Sequence, residues 1–227
     1  MARAAADEGH LSEPEGIARL GVLVLPSWFG LRASVRELCR EMAERGYLAL
    51  APGYPYPHAP ESEPQARAAL AGVEPEHLAS LVTASASLAH RLLVPGVRLV
   101  AVGFGSGASL ALWIAARRPD LIDGVVGFYG SQGRELDDIR GPIQLHLGGA
   151  DVVVDPEELV LMEADLHVMG KPISSFTYPN AAHGFAEADL ESYEPVAAAE
   201  ALQHMWSLLE SLALNDPGTA PERPPVA

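Results

Sequence analysis

Short apolar runs recur along this chain, and segments with helix-like spacing of apolar residues separate most of them. Within each run the apolar residues are nearly continuous, which is typical of strands buried on both faces of a sheet. Glycine, proline or charged residues bound every run. The pattern predicts strands at Leu20–Leu25, Tyr47–Ala51, Val97–Gly103, Gly124–Tyr129, Ile143–Leu147 and Ile173–Tyr178.

Several of the intervening segments predict helices that pack against this sheet. Leu31–Arg45 is an example, because its apolar residues fall on one side and charged residues on the other. Further helices are predicted at Pro75–Leu92, Gly107–Arg118, Pro156–Met169 and Tyr193–Leu214. Alternation of strands and helices predicts an α/β fold, with a mostly parallel central sheet and helices on both faces.

The length of 227 residues suits one globular domain. We expect an N-terminal extension over residues 1–19, the domain over 20–214, and a disordered, proline-rich tail over 215–227. Gly53–Glu74, rich in proline and alanine, is predicted to be irregular. Such a loop either forms a wall over a site or is a plain surface excursion.

Charge and cysteine content exclude several classes of partner. Thirty acidic against fifteen basic residues give a formal charge of −15, which disfavours nucleic acids and membrane surfaces. The single cysteine, Cys39, excludes an internal disulfide. No apolar stretch reaches the roughly 18 residues of a membrane span. We expect a cytoplasmic monomer or homodimer that binds a small-molecule substrate, with no metal site and no cofactor, since paired histidine ligands and phosphate loops are absent.

A glycine-rich turn follows the third predicted strand and precedes a predicted helix. This strand–turn–helix context is that of a nucleophile elbow. An elbow needs small residues two positions before and after its tip, because strand and helix cross closely there. Gly103 and Gly107 meet this requirement around Gly105.

Two titratable residues follow later strands of the predicted sheet. Asp151 lies just past one strand and His183 lies on the loop after the last strand. Ligand chemistry in open α/β sheets is usually located at this carboxyl edge. The chain order of elbow, aspartate and histidine is the order used by α/β-hydrolases.

Several motifs between about Gly21 and Leu212 resemble the dienelactone hydrolase family. They are Pro26–Leu31 (PSWFGL), Glu44–Pro52 (ERGYLALAP), Gly127–Gly130 (GFYG) and the stretches around Asp151 and His183. The resemblance implies an α/β-hydrolase fold and acid–base roles for Asp151 and His183. It also implies an oxyanion hole formed by the backbone N–H groups of Trp28 and Ser106. Phe29 follows the first predicted strand and Tyr129 ends the fourth, so each either lines the substrate pocket or packs in the core.

The sequence departs from the family at the nucleophile. The family pattern GxCxGG, in which serine sometimes replaces cysteine, meets Gly-Phe-Gly-Ser-Gly-Ala at 103–108, so that Gly105 takes the nucleophile position. A glycine has no side chain with which to form an acyl-enzyme. Gly53 also stands where the family has an aspartate.

Three interpretations of the missing nucleophile remain open. In the first, His183 oriented by Asp151 is a general base acting on a small carbonyl compound, ester or lactone, in hydrolysis, cyclisation, isomerisation or elimination. In the second, the chain is an inactive pseudoenzyme or ligand-binding protein. In the third, Ser106 is the nucleophile of an esterase or lactonase, although Phe104 then occupies a position that normally requires glycine.

Overall fold

The computed structural model describes residues 9–56, 58, 60–131 and 135–214. In these residues seven strands form one sheet with the order β1-β3-β2-β4-β5-β6-β7. Strand β1 pairs antiparallel with β3, and all other neighbours are parallel. The strands are β1 (His10–Ser12), β2 (Leu20–Leu25), β3 (Tyr47–Ala51), β4 (Leu99–Phe104), β5 (Gly124–Phe128), β6 (Ile143–Gly148) and β7 (Ile173–Tyr178).

Helices cover both faces of the sheet. They are α1 (Ala33–Glu44), α2 (Glu63–Ala71), α3 (Pro75–Leu92), α4 (Ser106–Arg117), α5 (Pro156–Val168) and α6 (Pro195–Leu214). One core cluster packs α3, α4 and α5 on one face, and a second packs α1 and α6 on the other. Strand β2 contributes alternately to both, since Leu23 belongs to the first cluster and Val22 and Val24 to the second. The predicted α/β architecture is confirmed.

Each predicted strand and helix is present with bounds that differ by at most two residues. Two elements were not predicted. Strand β1 lies in the segment expected to be an N-terminal extension. Because it is only three residues long, it has too few residues to show a hydrophobic pattern. The irregular assignment of Gly53–Glu74 is wrong in part, because α2 lies within it. Helix α2 buries only Ala66, so its sequence lacks the apolar periodicity used to recognise the other helices.

The expected tail over 215–227 lies outside the described residues. No helix in the described part of the chain is both long and apolar enough to cross a membrane. Cys39 is a free, buried side chain of α1. Because β4, β6 and β7 run parallel, the residues that follow them lie at the same carboxyl edge of the sheet, where the candidate site forms.

Candidate active site

Gly105 forms a sharp bend between β4 and α4. Its backbone has φ 53° and ψ −118°, a conformation that side-chain-bearing residues rarely adopt. The Gly105 N–H donates to the Phe128 carbonyl at 2.9 Å, which fixes the bend against β5. The tip of the elbow is therefore Gly105, and Ser106 is the first residue of α4.

Close packing explains the two flanking glycines. A Cβ atom added to Gly103 would lie 2.1 Å from the Gly107 carbonyl oxygen. A Cβ atom on Gly107 would lie 2.1 Å from the Leu25 carbonyl oxygen at the end of β2. Both distances are far shorter than van der Waals contact, so any larger residue would push α4 away from the sheet.

Asp151 and His183 form a hydrogen-bonded pair at this edge. Asp151 follows β6, His183 follows β7, and His183 Nδ1 lies 2.9 Å from Asp151 Oδ2. Asp151 Oδ1 also accepts hydrogen bonds from the backbone N–H groups of Val153 and Val154. Burial raises the pKa of Asp151, but the hydrogen bonds from His183, Val153 and Val154 outweigh burial and lower the pKa overall. An ionised Asp151 only accepts, so Nδ1 carries the proton and Nε2 of a neutral imidazole is free to act as a base.

The free nitrogen of His183 faces the elbow. A Cβ atom built on Gly105 would lie 3.2 Å from Nε2 and 3.5 Å from the Cβ atom of Ser27. Nε2 is buried and has no hydrogen-bond partner among the described residues. A group the size of one Cβ atom at Gly105 would thus already contact Nε2 closely, and the imidazole is packed directly against the bend.

Two backbone donors belong to segments next to the bend, since Ser106 follows Gly105 and Trp28 follows Ser27, whose Cβ atom lies 3.5 Å from a Cβ atom built on Gly105. Neither the Trp28 nor the Ser106 N–H has an acceptor within the described ranges. The Ser106 N–H belongs to the first turn of α4, where helix N–H groups lack internal partners and the helix dipole favours negative charge. The Ser106 hydroxyl is buried, has no hydrogen-bond partner in the part of the chain that the structure describes and makes no hydrogen bond to His183.

Aromatic rings enclose the imidazole on two sides. The Trp28 ring centroid lies 5.2 Å from that of His183 with the planes at 35°, and the Tyr129 ring lies 5.1 Å away in an edge-to-face arrangement. Phe29 and Trp28 line a cavity of about 450 Å³ that also includes His183. The predicted site residues Gly105, Ser106, Trp28, Phe29, Tyr129, Asp151 and His183 therefore lie together at one edge of the sheet.

Sequence reasoning missed Glu187 and Ser27. Glu187 is 2% exposed; its Oε2 accepts a hydrogen bond from Ser27 Oγ at 2.9 Å and its Oε1 accepts one from the Tyr129 hydroxyl at 3.1 Å. Burial raises the pKa of Glu187 to about 7, against the opposing effects of Ser27, Tyr129, His183 and Arg32. Glu187 lies four residues after His183 in an acidic segment, and no local pattern marks it as buried.

A second cavity lies on the Ser106 side of the elbow. It has a volume of about 470 Å³ and an almost wholly apolar wall, contributed by α2, α3 and α4. Glu76 is its only charged lining residue among those described. The wall includes Leu70, Leu78, Leu110 and Trp113.

The described residues contain no group of three or more histidine, cysteine, aspartate or glutamate side chains placed to hold a metal ion. His146, which the sequence places within a strand, is buried and hydrogen-bonded to Tyr178 and Gln144. His146 thus belongs to the core between β6, β7 and α6 and not to the candidate site.

Comparison with known proteins places the chain in a family. The profile of the dienelactone hydrolase family matches residues 8–213. The chain is 27% identical over 199 residues to Protein usf of Aquifex pyrophilus, covering 83% of this chain and 84% of that protein. It is 29% identical over 213 residues to a probable 2-oxo-3-(5-oxofuran-2-ylidene)propanoate lactonase of a Bradyrhizobium species, covering 85% and 84%.

A solved structure gives the same result for the fold. The crystal structure of a putative dienelactone hydrolase from Klebsiella pneumoniae superposes with a TM-score of 0.79 at 23% identity, covering 89% of this chain and 92% of that one. The mostly parallel sheet with helices on both faces is therefore an α/β-hydrolase fold. From its matched length and its fold, the chain belongs to the dienelactone hydrolase family.

Proposed function

We propose that this protein catalyses acid–base chemistry on a small ester, lactone or related carbonyl compound, with His183 as general base and without a covalent intermediate. The observation that carries the proposal is the imidazole itself. Its Nδ1 is bonded to Asp151, while Nε2 has no partner in the described structure and faces the space above Gly105. An oriented base that faces the bend can act on a bound reactant without a side chain at position 105.

For hydrolysis, a water molecule above Gly105 gives a proton to His183 Nε2 as its oxygen bonds to the carbonyl carbon. The carbonyl oxygen becomes negative and accepts hydrogen bonds from the N–H groups of Trp28 and Ser106. When the bond to the leaving oxygen breaks, that oxygen takes the proton from His183. The same base could instead remove a proton next to the carbonyl group, which would lead to isomerisation or elimination.

The cavity beside Ser106 suits an apolar part of the substrate. Its wall is formed mainly by leucine, alanine and tryptophan side chains, and its volume of about 470 Å³ falls in the range of small-ligand sites. Glu76 at this cavity would disfavour an anionic group there. The proposed substrate therefore carries an alkyl or aryl group next to its carbonyl.

Single substitutions test the role of each group. With small p-nitrophenyl esters and simple lactones, His183→Ala should lower kcat by about 100-fold or more, as expected for loss of a general base. Asp151→Asn should also lower kcat, because the amide no longer fixes the tautomer.

Ser106→Ala should retain activity, since this residue contributes its backbone N–H. Retained activity in His183→Ala would contradict the proposal, and loss with Ser106→Ala would favour a serine nucleophile.

A ligand-binding protein without turnover is the second candidate, favoured by the absence of a nucleophilic side chain at Gly105. This candidate predicts that the native chain binds unreactive amides of the same shape but hydrolyses none of the esters. It also predicts that turnover appears only in Gly105→Cys. Binding by calorimetry together with the ester assay distinguishes the two candidates.

A further inference from the structure

General-base catalysis by His183 makes no use of Glu187, although this side chain lies inside the wall of the site. A carboxyl group is rarely buried to this degree without a cationic partner. Among the described residues, the hydrogen-bond partners of the Glu187 carboxyl are instead two neutral hydroxyls, those of Ser27 and Tyr129. Burying a carboxyl group in this way lowers stability, so we expect a role of Glu187 beyond packing.

Each partner of Glu187 belongs to one of the two walls that enclose His183. Ser27 directly precedes Trp28, whose ring lies 5.2 Å from the imidazole. Tyr129 places its own ring 5.1 Å from the imidazole on another side. One carboxyl group therefore ties together two chain segments, from the ends of β2 and β5, that hold the base between them.

Tyr129 is restrained at its backbone, where its N–H donates to the His146 carbonyl at 2.8 Å, and at its hydroxyl, through Glu187. Its φ of 40° lies in the left-handed region, which is strained for a bulky residue. A strained residue keeps such a conformation only when its surroundings hold it. The bond from its hydroxyl to Glu187 and its packing against Phe185 and His183 provide that restraint.

The Glu187 carboxyl group also interacts electrostatically with His183. The groups around its carboxyl are Ser27, Tyr129, Tyr54, His183 and Arg32, from the loops after β2, β5, β3 and β7 and the start of α1. His183 and Arg32 both favour the ionised carboxylate, while burial favours the neutral acid. When ionised, Glu187 adds a second negative charge near the imidazole, in addition to Asp151.

We propose that Glu187 is a positioning residue of the active site, which holds the imidazole of His183 between Trp28 and Tyr129 and, when ionised, stabilises the imidazolium formed as His183 accepts a proton. The proton taken from water stays on Nε2 until it passes to the leaving oxygen. Glu187 supplies charge and restraint and takes no proton in the reaction. The inference rests on the proposed role of His183 as the base.

Glu187→Gln tests the inference because the amide keeps the shape and removes the charge. On a p-nitrophenyl ester, kcat should fall about tenfold while KM stays within about twofold, as expected for a misaligned base with an intact pocket. The rise in kcat between about pH 6 and pH 8 should become shallower, since the ionisation of Glu187 no longer contributes. Glu200→Gln is the control, because Glu200 is an exposed carboxylate on α6 that lines neither cavity, and it should leave kcat unchanged.

A second measurement needs no turnover. In native protein with ¹³Cζ-labelled tyrosine, the Tyr129 signal should shift with a midpoint near the Glu187 pKa of about 7, because the phenol donates to that carboxyl. Tyr129→Phe assigns the signal, and Glu187→Gln should abolish the shift. The His183 ring protons should show ring-current shifts from Trp28 and Tyr129 in the native chain, and these shifts should shrink in Glu187→Gln.

The outcomes separate this inference from the proposed function. Native kcat and unchanged His183 ring shifts in Glu187→Gln would overturn the role of Glu187, even if His183→Ala is inactive. If His183→Ala keeps its activity, the proposed function fails and the catalytic role of Glu187 fails with it. Altered His183 ring shifts in Glu187→Gln would then show only that Glu187 restrains the imidazole.

Discussion

Gly105 has the backbone conformation of a nucleophile elbow but no side chain that could act as the nucleophile. The bend at φ 53° and ψ −118° is kept, while no side chain stands between it and His183 Nε2, which would lie 3.2 Å from a Cβ atom at this position. Glycine adopts this conformation without the strain that any other residue would carry. The residue thus favours local stability and supplies no nucleophilic side chain.

Substitution of Gly105 by alanine or serine should separate these two effects. Both side chains impose strain, so the free energy of unfolding should fall by about 1–3 kcal/mol in each variant. Alanine fills the space above residue 105 without adding a nucleophile, and we expect kcat to fall by at least about tenfold. Serine should instead give a burst of p-nitrophenol equal to the enzyme concentration. An alanine variant as active as the native chain would show that the space is not used.

Glu187 should make the stability of the protein fall as pH rises. Its pKa in the folded protein, about 7, exceeds the ordinary value of 4.5, so the folded state binds the proton more tightly than the unfolded state. The contribution is complete below about pH 4.5 and decreases as pH rises through 7, by up to about 3 kcal/mol. In Glu187→Gln this slope should be absent from urea unfolding between about pH 5 and pH 8. An equal slope in both proteins would contradict the assignment.

The sequence identified Gly105, Asp151 and His183 because each lies in a short motif next to a strand end. Ser27 and Glu187 had no such signal, although they are hydrogen-bonded partners. They are separated by 160 residues, and only folding brings the hydroxyl to the carboxyl group. A buried acid in a polar loop has the same local sequence as an exposed one.

At the scale of elements, helix α2 determines the shape of the substrate region. It carries Leu70 in the apolar cavity, and its Arg67 guanidinium lies 4.3 Å above the Trp28 ring. Helix α2 therefore links the cavity beside Ser106 to the aromatic wall of His183. Apolar periodicity did not reveal this helix, because its contacts depend on a few side chains over the site and not on a buried face.

The apolar cavity predicts a preference for longer acyl chains. Each added methylene group buried there should raise kcat/KM by about fourfold until the cavity is filled, at roughly 0.8 kcal/mol per group. Leu78→Asn should reduce this gain for butanoate and hexanoate esters relative to acetate. Leu88→Asn is the control, because Leu88 lies on the same helix but is exposed outside the cavity. Equal chain-length dependence in both variants would place the acyl group elsewhere.

At the scale of the whole molecule, stability depends on two apolar layers that enclose the sheet. Helix α6 closes one layer, with Met205 and Leu209 fully buried against β2 and β4 residues. This layer reaches the bend through Phe104, but the C-terminal end of α6 lies at the opposite, amino edge of the sheet, where Glu210 accepts hydrogen bonds from Arg19 and Tyr47. Stability and activity should therefore respond separately to substitutions in α6.

Leu209→Ala should lower the free energy of unfolding by about 2–5 kcal/mol through the lost transfer energy and the cavity left behind. Leu214→Ala on the same helix should have little effect, because Leu214 is 70% exposed. Urea unfolding measures both values. The kcat of folded Leu209→Ala at 25 °C should equal that of the native chain, and a large loss would show that α6 supports the site.

The sequence by itself determined the alternation of strands and helices, the bend around Gly105 and the order of Asp151 and His183, because these features depend on residues close together in the chain. Tertiary structure alone decided that β1 closes the edge of the sheet, that α2 covers the site and that Glu187 reaches Ser27 and Tyr129. These contacts join distant segments, and the burial that changes the pKa of Glu187 arises only when those segments pack together.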